Sequence, residues 1–372
     1  MYLYVIITVH KKLFDYYERN RDMTHKKLYF NIISFVLCLS MLLPLCACSK
    51  DEPVQKQVFA MDTIMTLTAY GKAADAGLDA AVGVIQAMDT MLDPNSESSY
   101  TGLINNAQGN NVIVPPQVAE MLSVASDIYN KTNGALDLSV YPIYEAWGEF
   151  KEDTGRIPSS DKITELLTKL KFDQLRITKF PGESSSSVSL PAGTEISFGA
   201  IAKGCASNYA IDAMKKAGIE SGLVSLGGNV QTLGVKPDGS NWVIAVDDPD
   251  NTGSYIGTLS VGETAVVTSG NYQRYFTIDG KNYHHLIDPH TGRPANNGLK
   301  SVTIICPDGT TADALSTAMF VLGEKRALDY WRDNGGFEMI MINEDNNVIC
   351  TSGLIEVFTL TNTTDYTYTM ME

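Results

Sequence analysis

Positive charge is scarce in this sequence. Its 372 residues include 28 Lys and Arg against 43 Asp and Glu, which gives a formal net charge of −15. Proteins that bind nucleic acid normally carry a basic surface, so this balance excludes nucleic acid as a partner. The 30 Gly and 14 Pro are too few for a fibrous or low-complexity chain, and the 44 % hydrophobic content is enough for a packed core.

Cysteine is also sparse, and its spacing argues against two kinds of stabilising site. The six Cys include no C-x-x-C pair, the spacing typical of structural zinc sites. Three of them, Cys205, Cys306 and Cys350, lie in the body of the chain, and an odd number cannot all pair. We therefore expect no disulfide framework.

An apolar run at residues 31–48 follows a basic stretch and ends on small residues. This order is typical of a secretory signal, and a retained anchor helix is the alternative. The segment Leu45-Cys46-Ala47-Cys48 resembles a bacterial lipobox, in which the last Cys becomes the lipid-modified N-terminus. We predict a lipoprotein signal peptide at residues 1–47, lipidation of Cys48, and a lipid-anchored location on the extracytoplasmic face of the cell membrane.

The signal sets the predicted domain organisation. Met23 opens a stretch that is a complete signal by itself, and one interpretation of residues 1–22 is an extension from a misplaced start. Cleavage before Cys48 would remove six basic and three acidic residues, leaving 325 residues with a net charge of −18. We predict a lipidated tether at residues 48–57 and a single domain over residues 58–372.

The mature chain mixes helix and strand signals. A Thr-rich, β-branched run predicts a strand at residues 59–70, and residues 181–193 are interpreted as a solvated loop or hairpin tip. Between residues 222 and 305 several apolar runs are separated by Gly, Asp and Asn turns, which predicts strands. Apolar spacing predicts helices over 75–92, after Pro115-Pro116, and over 161–170, 200–217, 311–322 and 324–333. There is no repeat and no regular βαβ alternation. We predict one large α+β unit with a mainly antiparallel sheet flanked by helices.

Histidine is concentrated in one segment. Three of the five His, namely His284, His285 and His290, lie within residues 284–292. His and Asp288 are both zinc-ligand types, but the Asp-Pro and Thr-Gly pairs of this segment indicate a tight turn that would bring only some of these side chains together. A polar surface turn is the alternative.

A second pattern lies at residues 197–204, where a Gly-containing turn leads directly into a helix. Backbone N–H groups at a helix start attract anions, phosphate among them, and Lys203 adds a positive charge. The P-loop and dinucleotide-binding patterns are absent. The alternative is an Ala-rich core helix with a surface Lys.

A third pattern lies at residues 311–323. Asp313 and Thr317 are four residues apart and share a helix face, with Ser316 beside them. Both offer oxygen, the ligand type that Mg²⁺ prefers. The alternative is an Asp that stabilises the helix start.

Seven segments, in the same order along the chain, resemble the ApbE-type FAD:protein FMN transferases. They are MDTIMTL (61–67), NGALDLSVYPIYEAWG (133–148), SFGAIAKG (197–204), LVSLGGN (223–229), VVTSGNYQRYF (266–276), HHLIDPHTGRP (284–294) and ADALSTAMFVLG (312–323). The resemblance covers roughly residues 59–352. It implies an enzyme that moves FMN from FAD onto a Thr or Ser hydroxyl of an acceptor flavoprotein and releases AMP. It also implies Mg²⁺ at the diphosphate and an exported acceptor, such as a subunit of an ion-pumping redox complex.

The resemblance assigns roles residue by residue. It places the metal on the Ala200 carbonyl and the Asp313 and Thr317 side chains, with Ser316 at an adjoining position. It assigns His285 to proton removal from the acceptor hydroxyl and makes Asp313 catalytic through the metal. Flavin and nucleotide contacts map to Met61, Ala135, Leu136, Asp137, Ser197, Lys203, Ser269, Gly270 and Ile287. Arg274 and Arg293 are candidates for phosphate or acceptor contact.

This sequence departs from the family pattern at two positions. Ser197 stands where the family usually has a flavin-binding Asp, and Cys205 where it usually has an aromatic residue. Ser can form a hydrogen bond but brings no charge. The resemblance also leaves two alternative functions open: hydrolysis of FAD to FMN and AMP without an acceptor, and a lipid-anchored protein that only binds flavin. The acidic mature chain opposes anionic FAD, so flavin binding is expected to depend on divalent metal.

Overall fold

The structure, a computed structural model, describes residues 52–150, 152, 154–251 and 253–372. Contacts divide the chain into two units, Met1–Asp51 and Glu52–Glu372, and the second is the one described here. The predicted signal peptide, Cys48 and the start of the predicted tether lie outside the described residues and stay predictions. Among the residues described, no helix is long and apolar enough to cross a membrane.

Helices occupy much of the first third of the described chain and two later segments. Their bounds are α1 (Ala74–Leu92), α2 (Tyr100–Asn105), α3 (Pro116–Lys131), α4 (Tyr141–Trp147), α5 (Ser160–Leu167), α6 (Ala202–Lys216), α7 (Gly309–Leu322) and α8 (Glu324–Asn334). Short 3₁₀ turns lie at Leu138–Val140, Phe172–Gln174 and Ser352–Leu354. All six predicted helices are present with small shifts at their ends, and the sequence missed the two short helices α2 and α4.

The main sheet has nine strands. Numbered along the chain and written in their order across the sheet, they are β1 (Val54–Ala60), β2 (Thr63–Ala69), β6 (Gly222–Leu226), β7 (Asn229–Leu233), β10 (Ala265–Gly270), β15 (Leu299–Cys306), β16 (Glu338–Asn343), β17 (Asn347–Thr351) and β19 (Thr367–Met371). Neighbouring strands are antiparallel except β17 and β19, which are parallel. The predicted α+β class with a mainly antiparallel sheet is confirmed.

Four smaller antiparallel sheets complete the strand inventory of the described residues. They are β3 (Val112–Val114), β5 (Ser186–Ser189) and β4 (Arg176–Lys179); β8 (Trp242–Asp247), β9 (Tyr255–Val261) and β18 (Phe358–Leu360); β11 (Tyr275–Ile278) with β12 (Lys281–His284); and β13 (Ile287–Asp288) with β14 (Arg293–Pro294).

The structure corrects two predictions about strands. Residues 59–70 are not one strand: Phe59 and Ala60 end β1, the chain turns at Met61 and Asp62 with φ values of 49° and 60°, and β2 begins at Thr63. Such turns usually carry Gly or Asn, so the sequence hides this one. Residues 181–193 are a loop only in part: the hairpin-tip alternative holds up to residue 185, between the antiparallel β4 and β5, but β5 is the central strand of its sheet and Val188 is 1 % exposed.

The main sheet is covered on both faces. Helices α1, α3, α6 and α7 contribute to the largest apolar core cluster on one face, and β8, β9 and β18 contribute to a second cluster on the other. Strand β10 shows the division, since Val267 belongs to the first cluster and Val266 to the second. Helix α7 lies deepest, with 12 of its 14 residues buried. Polar side chains on α7 are therefore shielded from bulk water and need partners within the protein or a ligand.

Candidate active site

The central contact of the candidate site joins the start of α6 to the first turns of α7. The Gly204 N–H donates to Asp313 Oδ2 over 2.8 Å, and Asp313 is only 4 % exposed. A Cβ atom at position 204 would collide with the Gly309 carbonyl oxygen and with Asp313 Cβ. Glycine therefore allows the two helices to approach closely enough for a backbone N–H to hold the carboxylate.

A cluster of hydroxyl groups lies further along α7. Ser269, near the end of β10, has its Oγ 2.8 Å from Ser316 Oγ and 3.3 Å from Thr317 Oγ1. Ser316 Oγ in turn donates to the Asp313 carbonyl oxygen over 2.8 Å. The structure thus brings together Ser269, Ser316 and Thr317 one turn from the Asp313 carboxylate.

A buried polar network fixes α6 and α7 against β7. Gln231 Nε2 donates to Asn208 Oδ1 over 2.9 Å, and the same oxygen accepts the Gly309 N–H over 2.8 Å. Asn208 Nδ2 donates to Asp308 Oδ2 over 2.6 Å, and Asp308 also caps α7 by accepting the Thr311 N–H. These residues are far apart in sequence, and no motif predicted their contact. The network sets the register of the two helices that carry the site.

His285 lies beside this region in a half-buried position. Its backbone N–H donates to the Arg274 carbonyl oxygen over 3.1 Å, and Nδ1 lies 3.2 Å from the same oxygen. Burial lowers the pKa of His285 to about 3, and the positive charges of Arg274 and Lys203 act in the same direction. The ring is therefore neutral at physiological pH. Since a carbonyl can only accept, Nδ1 carries the proton and Nε2 is left to accept one.

The other two histidines of the segment have structural partners. His284 Nε2 lies 3.0 Å from the Ala295 carbonyl oxygen, and its ring meets the edge of Phe320. His290 bridges Asp288 and the Asn133 carbonyl oxygen. No cluster of three or more His, Cys, Asp or Glu suited to a metal occurs in the part of the chain that is described. The alternative of a zinc site among the histidines therefore has no support in these contacts.

The segment 135–137 is held against the turn before α6. Asp137 Oδ1 accepts the Ser139 N–H over 2.7 Å and caps the 3₁₀ turn that follows, while burial raises the pKa of the carboxyl. The Ser197 N–H donates to the Leu138 carbonyl oxygen over 3.2 Å. Ser197 Oγ accepts the Gly199 N–H over 3.2 Å, so the serine serves the local turn. Ala135 and Leu136 are buried in the main core.

Three further predicted residues have their described contacts elsewhere. The Met61 N–H donates to Asp89 Oδ1 over 2.8 Å at the β1–β2 turn. Ile287 is buried in β13, opposite Pro294 of β14. Arg293 is exposed and donates to Ser160 Oγ over 3.1 Å. The structure therefore brings the α6, α7 and β10 residues into contact with one another, whereas the described hydrogen bonds and strand pairing of Met61, Ile287 and Arg293 lie outside that contact.

A cavity of about 550 Å³ lies beside His284. It is lined by residues that include Tyr272, His284, Arg293 and Lys300. Of the residues selected from the sequence, its lining includes Arg293 but neither Asp313 nor Lys203. The lining of the cavity therefore does not include the α6–α7 contact.

The model of the ApbE family matches residues 61–341. A FAD:protein FMN transferase of Treponema pallidum (strain Nichols) is 31 % identical over 310 residues, covering 79 % of this chain and 85 % of the relative. The crystal structure of the ApbE protein from Thermotoga maritima superposes with a TM-score of 0.72 at 31 % identity, covering 79 % of this chain and 95 % of that one. The crystal structure of the apo form of Pseudomonas stutzeri flavinyl transferase ApbE superposes with a TM-score of 0.71 at 26 % identity. The match covers 82 % of this chain and 97 % of that one.

Proposed function

The chain belongs to the ApbE family, as its seven ordered segments predicted, and from this premise we propose how it acts as a FAD:protein FMN transferase. The proposed reaction forms a bond between a Thr or Ser hydroxyl oxygen of the acceptor and the FMN phosphorus. The phosphoanhydride bond of FAD breaks, AMP leaves, and the hydroxyl proton passes to the enzyme.

The observation that carries the proposal is the buried Asp313 carboxylate, held by the Gly204 N–H beside the hydroxyls of Ser316 and Thr317. Phosphoryl-type transfer needs positioning and charge neutralisation more than new covalent chemistry. Lys203, in the first turn of α6, adds a positive charge. The N–H groups of that helix start favour an anion as well.

The donor set suits Mg²⁺ bound together with a substrate phosphate. Mg²⁺ is commonly held by only one or two carboxylates, with phosphate oxygens and water completing the shell. Asp313 supplies the carboxylate, Thr317 a hydroxyl, Ser316 an adjoining hydroxyl, and Ala200 a carbonyl in the turn before α6. Bound there, Mg²⁺ would neutralise charge on the diphosphate.

We assign His285 as the proton acceptor. Its Nδ1–H is directed at the Arg274 carbonyl oxygen, so the unprotonated Nε2 can take the proton of the acceptor hydroxyl. The low pKa of His285 in the free enzyme keeps Nε2 unprotonated. The negative charge of a bound diphosphate would raise that pKa and make His285 a stronger base.

The remaining predicted residues are proposed to bind the flavin end of FAD. They lie on separate elements: Met61 in the β1–β2 turn, Ala135, Leu136 and Asp137 before the 3₁₀ turn at Leu138–Val140, Ser197 before α6, Ser269 and Gly270 in β10, and Ile287 in β13. Ser197 would contribute a neutral hydrogen bond where relatives of this family usually have Asp. Flavin orientation here then rests more on the segment 135–137, which the Asp137 cap holds in place.

The proposed setting is the extracytoplasmic face of the cell membrane, with Cys48 lipidated and residues 48–57 as a tether. An exported flavoprotein is the proposed acceptor. We expect wild-type protein in the membrane fraction and Cys48→Ala in the soluble fraction, with incorporation of labelled palmitate only in the wild type. Labelled lipid on the Cys48→Ala protein would contradict the assignment of Cys48.

A direct assay tests the function. The purified protein is incubated with FAD, Mg²⁺ and an exported redox-complex subunit that carries the target Thr, and a Thr→Ala version of that subunit is the control. Covalent flavin on the first acceptor alone, with AMP in equal amount, supports transfer. Free FMN and AMP without labelled acceptor would indicate the hydrolase alternative, and intact FAD would indicate a protein that only binds flavin.

A further inference from the structure

Asn229 is buried with an unused hydrogen-bond donor. It is 2 % exposed, and its Nδ2 has no hydrogen-bond partner among the residues that the structure describes. It opens β7 directly after the Gly227-Gly228 turn, both of whose residues have positive φ. Buried side-chain amides without a partner are uncommon in proteins because desolvation of the N–H group is left uncompensated. An unpaired donor at this depth indicates a ligand that supplies the acceptor.

Strand register places Asn229 on the face of the sheet that carries α6 and α7. Gln231, two residues further along β7, bonds to Ser207 and Asn208 of α6 on that face. Asn229 lies opposite Val267 of β10, and Ser269, two residues beyond Val267, contacts α7. Residues two apart on a strand share a face. Asn229 therefore lies between two contacts to the helices that carry the candidate site.

The neighbours of Asn229 on the sheet show which part of the helices it faces. Gln231 forms a hydrogen bond with Asn208 of α6, and Ser269 with Ser316 of α7. Gly204 lies one turn before Asn208 along α6, Asp313 lies one turn before Ser316 along α7, and the Gly204 N–H donates to the Asp313 carboxylate. Asn229 thus faces the part of the site where Lys203 and the start of α6 favour an anion.

We propose that Asn229 is a further substrate-binding residue, whose Nδ2 donates a hydrogen bond to a diphosphate oxygen of FAD. The inference rests on the proposed function, since it takes FAD as the ligand. An anionic phosphate oxygen accepts strongly from an N–H group in a buried site. A neutral amide suits this position because it donates without adding a second positive charge beside Lys203.

The test measures binding rather than turnover. FAD and riboflavin, which lacks phosphate, are titrated by flavin fluorescence against wild type and Asn229→Leu, a variant of similar shape without a donor. Ser221→Ala is the matched control, because Ser221 Oγ is also buried and has no partner in the described part of the chain. Ser221 precedes β6 and lies at the opposite end of the β6–β7 pair from Asn229. Loss of a hydrogen bond to a charged group should weaken FAD binding roughly tenfold or more in Asn229→Leu. The affinity of Asn229→Leu for riboflavin should equal that of the wild type. Ser221→Ala should bind both FAD and riboflavin with wild-type affinity.

Thermal unfolding separates this effect from misfolding. Without FAD, Asn229→Leu should melt at or above the wild-type temperature, because it removes an uncompensated buried N–H group. Its gain in melting temperature on adding FAD should be smaller than that of the wild type. A fall in riboflavin affinity equal to that for FAD, or unchanged FAD affinity in a folded variant, would overturn the proposal.

A charged variant distinguishes the diphosphate from the metal. Asn229→Asp should weaken FAD binding at least as much as Asn229→Leu, because its carboxylate repels phosphate. Tighter Mg²⁺ binding by Asn229→Asp would instead assign the side chain to the metal and overturn the proposal. If wild type binds FAD in this manner but transfers no FMN, the proposed function fails while the binding inference stands.

Discussion

A single imidazole at position 285 is the proposed proton acceptor of the site. With its pKa near 3 in the free enzyme, His285 stays neutral across the pH range 5–8. We predict that His285→Gln lowers FMN transfer about 100-fold or more through loss of general-base catalysis. FAD affinity should change little. Rates and flavin binding measured on the same folded preparation check this, and a variant that transfers at the wild-type rate would remove His285 from the mechanism.

His284 and His285 also make stability depend on pH. Burial lowers the pKa of His284 to about 4 and that of His285 to about 3, whereas both titrate near 6.5 in the unfolded chain. Between pH 6.5 and about 4 the unfolded chain binds protons on these histidines and the folded protein does not. The free energy of unfolding therefore decreases as pH falls through this range. At pH 5 each histidine should cost about 2 kcal/mol relative to pH 7. Urea unfolding at both pH values should show a smaller loss for His284→Asn than for wild type, and equal losses would contradict the prediction.

Asp313 is the only carboxylate in the proposed metal set. We predict that Asp313→Asn lowers transfer about 100-fold or more, because an amide loses the charge that holds Mg²⁺. The amide oxygen can still accept the Gly204 N–H, so the fold should be kept. Asp329→Asn is the control, since Asp329 is exposed on α8 and pairs with Arg332 at 3.6 Å. Equal activity of the two variants would exclude Asp313 as a ligand.

At the scale of elements, the approach of α6 to α7 depends on one glycine. We predict that Gly204→Ala destabilises the protein by about 1–3 kcal/mol or more, since its Cβ would collide with the α7 backbone and the helices must separate. It should also abolish transfer by displacing Asp313. Gly83→Ala in α1 is the matched control, because nothing lies within 4 Å of a Cβ there. That variant should gain up to about 1 kcal/mol from helix propensity. Denaturant unfolding measures the free energy of unfolding of both variants, and equal values for Gly204→Ala and Gly83→Ala would contradict the prediction.

Elements with a strong period were predictable from the sequence. The apolar spacing of α1 and α3 identifies both helices without tertiary information. The β1–β2 turn was not predictable, because Met61 and Asp62 are held at positive φ by the surrounding hairpin and not by their own preference.

The site divides in a similar way. The spacing of Asp313 and Thr317 along a helix was enough to predict that they share a face. Lys203 could be selected because it lies at a predicted helix start. The contacts that position them could not, because Gln231 meets Asn208 across 23 residues and Asn208 meets Asp308 across 100. Such polar contacts leave no periodic trace in the sequence. The glycine inside a helical pattern at position 204 was the one available signal of a close approach.

At the scale of the whole molecule, the acidic charge bears on substrate binding. The chain carries a net charge of −15, and FAD is itself an anion, so long-range attraction cannot bring them together. We predict that removal of Mg²⁺ with EDTA raises the dissociation constant for FAD about tenfold or more. Riboflavin, without a diphosphate, should bind equally with and without the metal. Tight FAD binding in EDTA would contradict this account.

The nine strands of the main sheet lie across it in the same order as they occur along the chain, from β1 to β19. No strand is inserted between two neighbours that precede it in the sequence. The polypeptide is synthesised from the N-terminus, so each strand can add to an edge that already exists as it emerges. The smaller sheets and the helices are formed by segments between these additions. The topology therefore allows the sheet to assemble in the order of translation, without opening any pair of strands that has already formed.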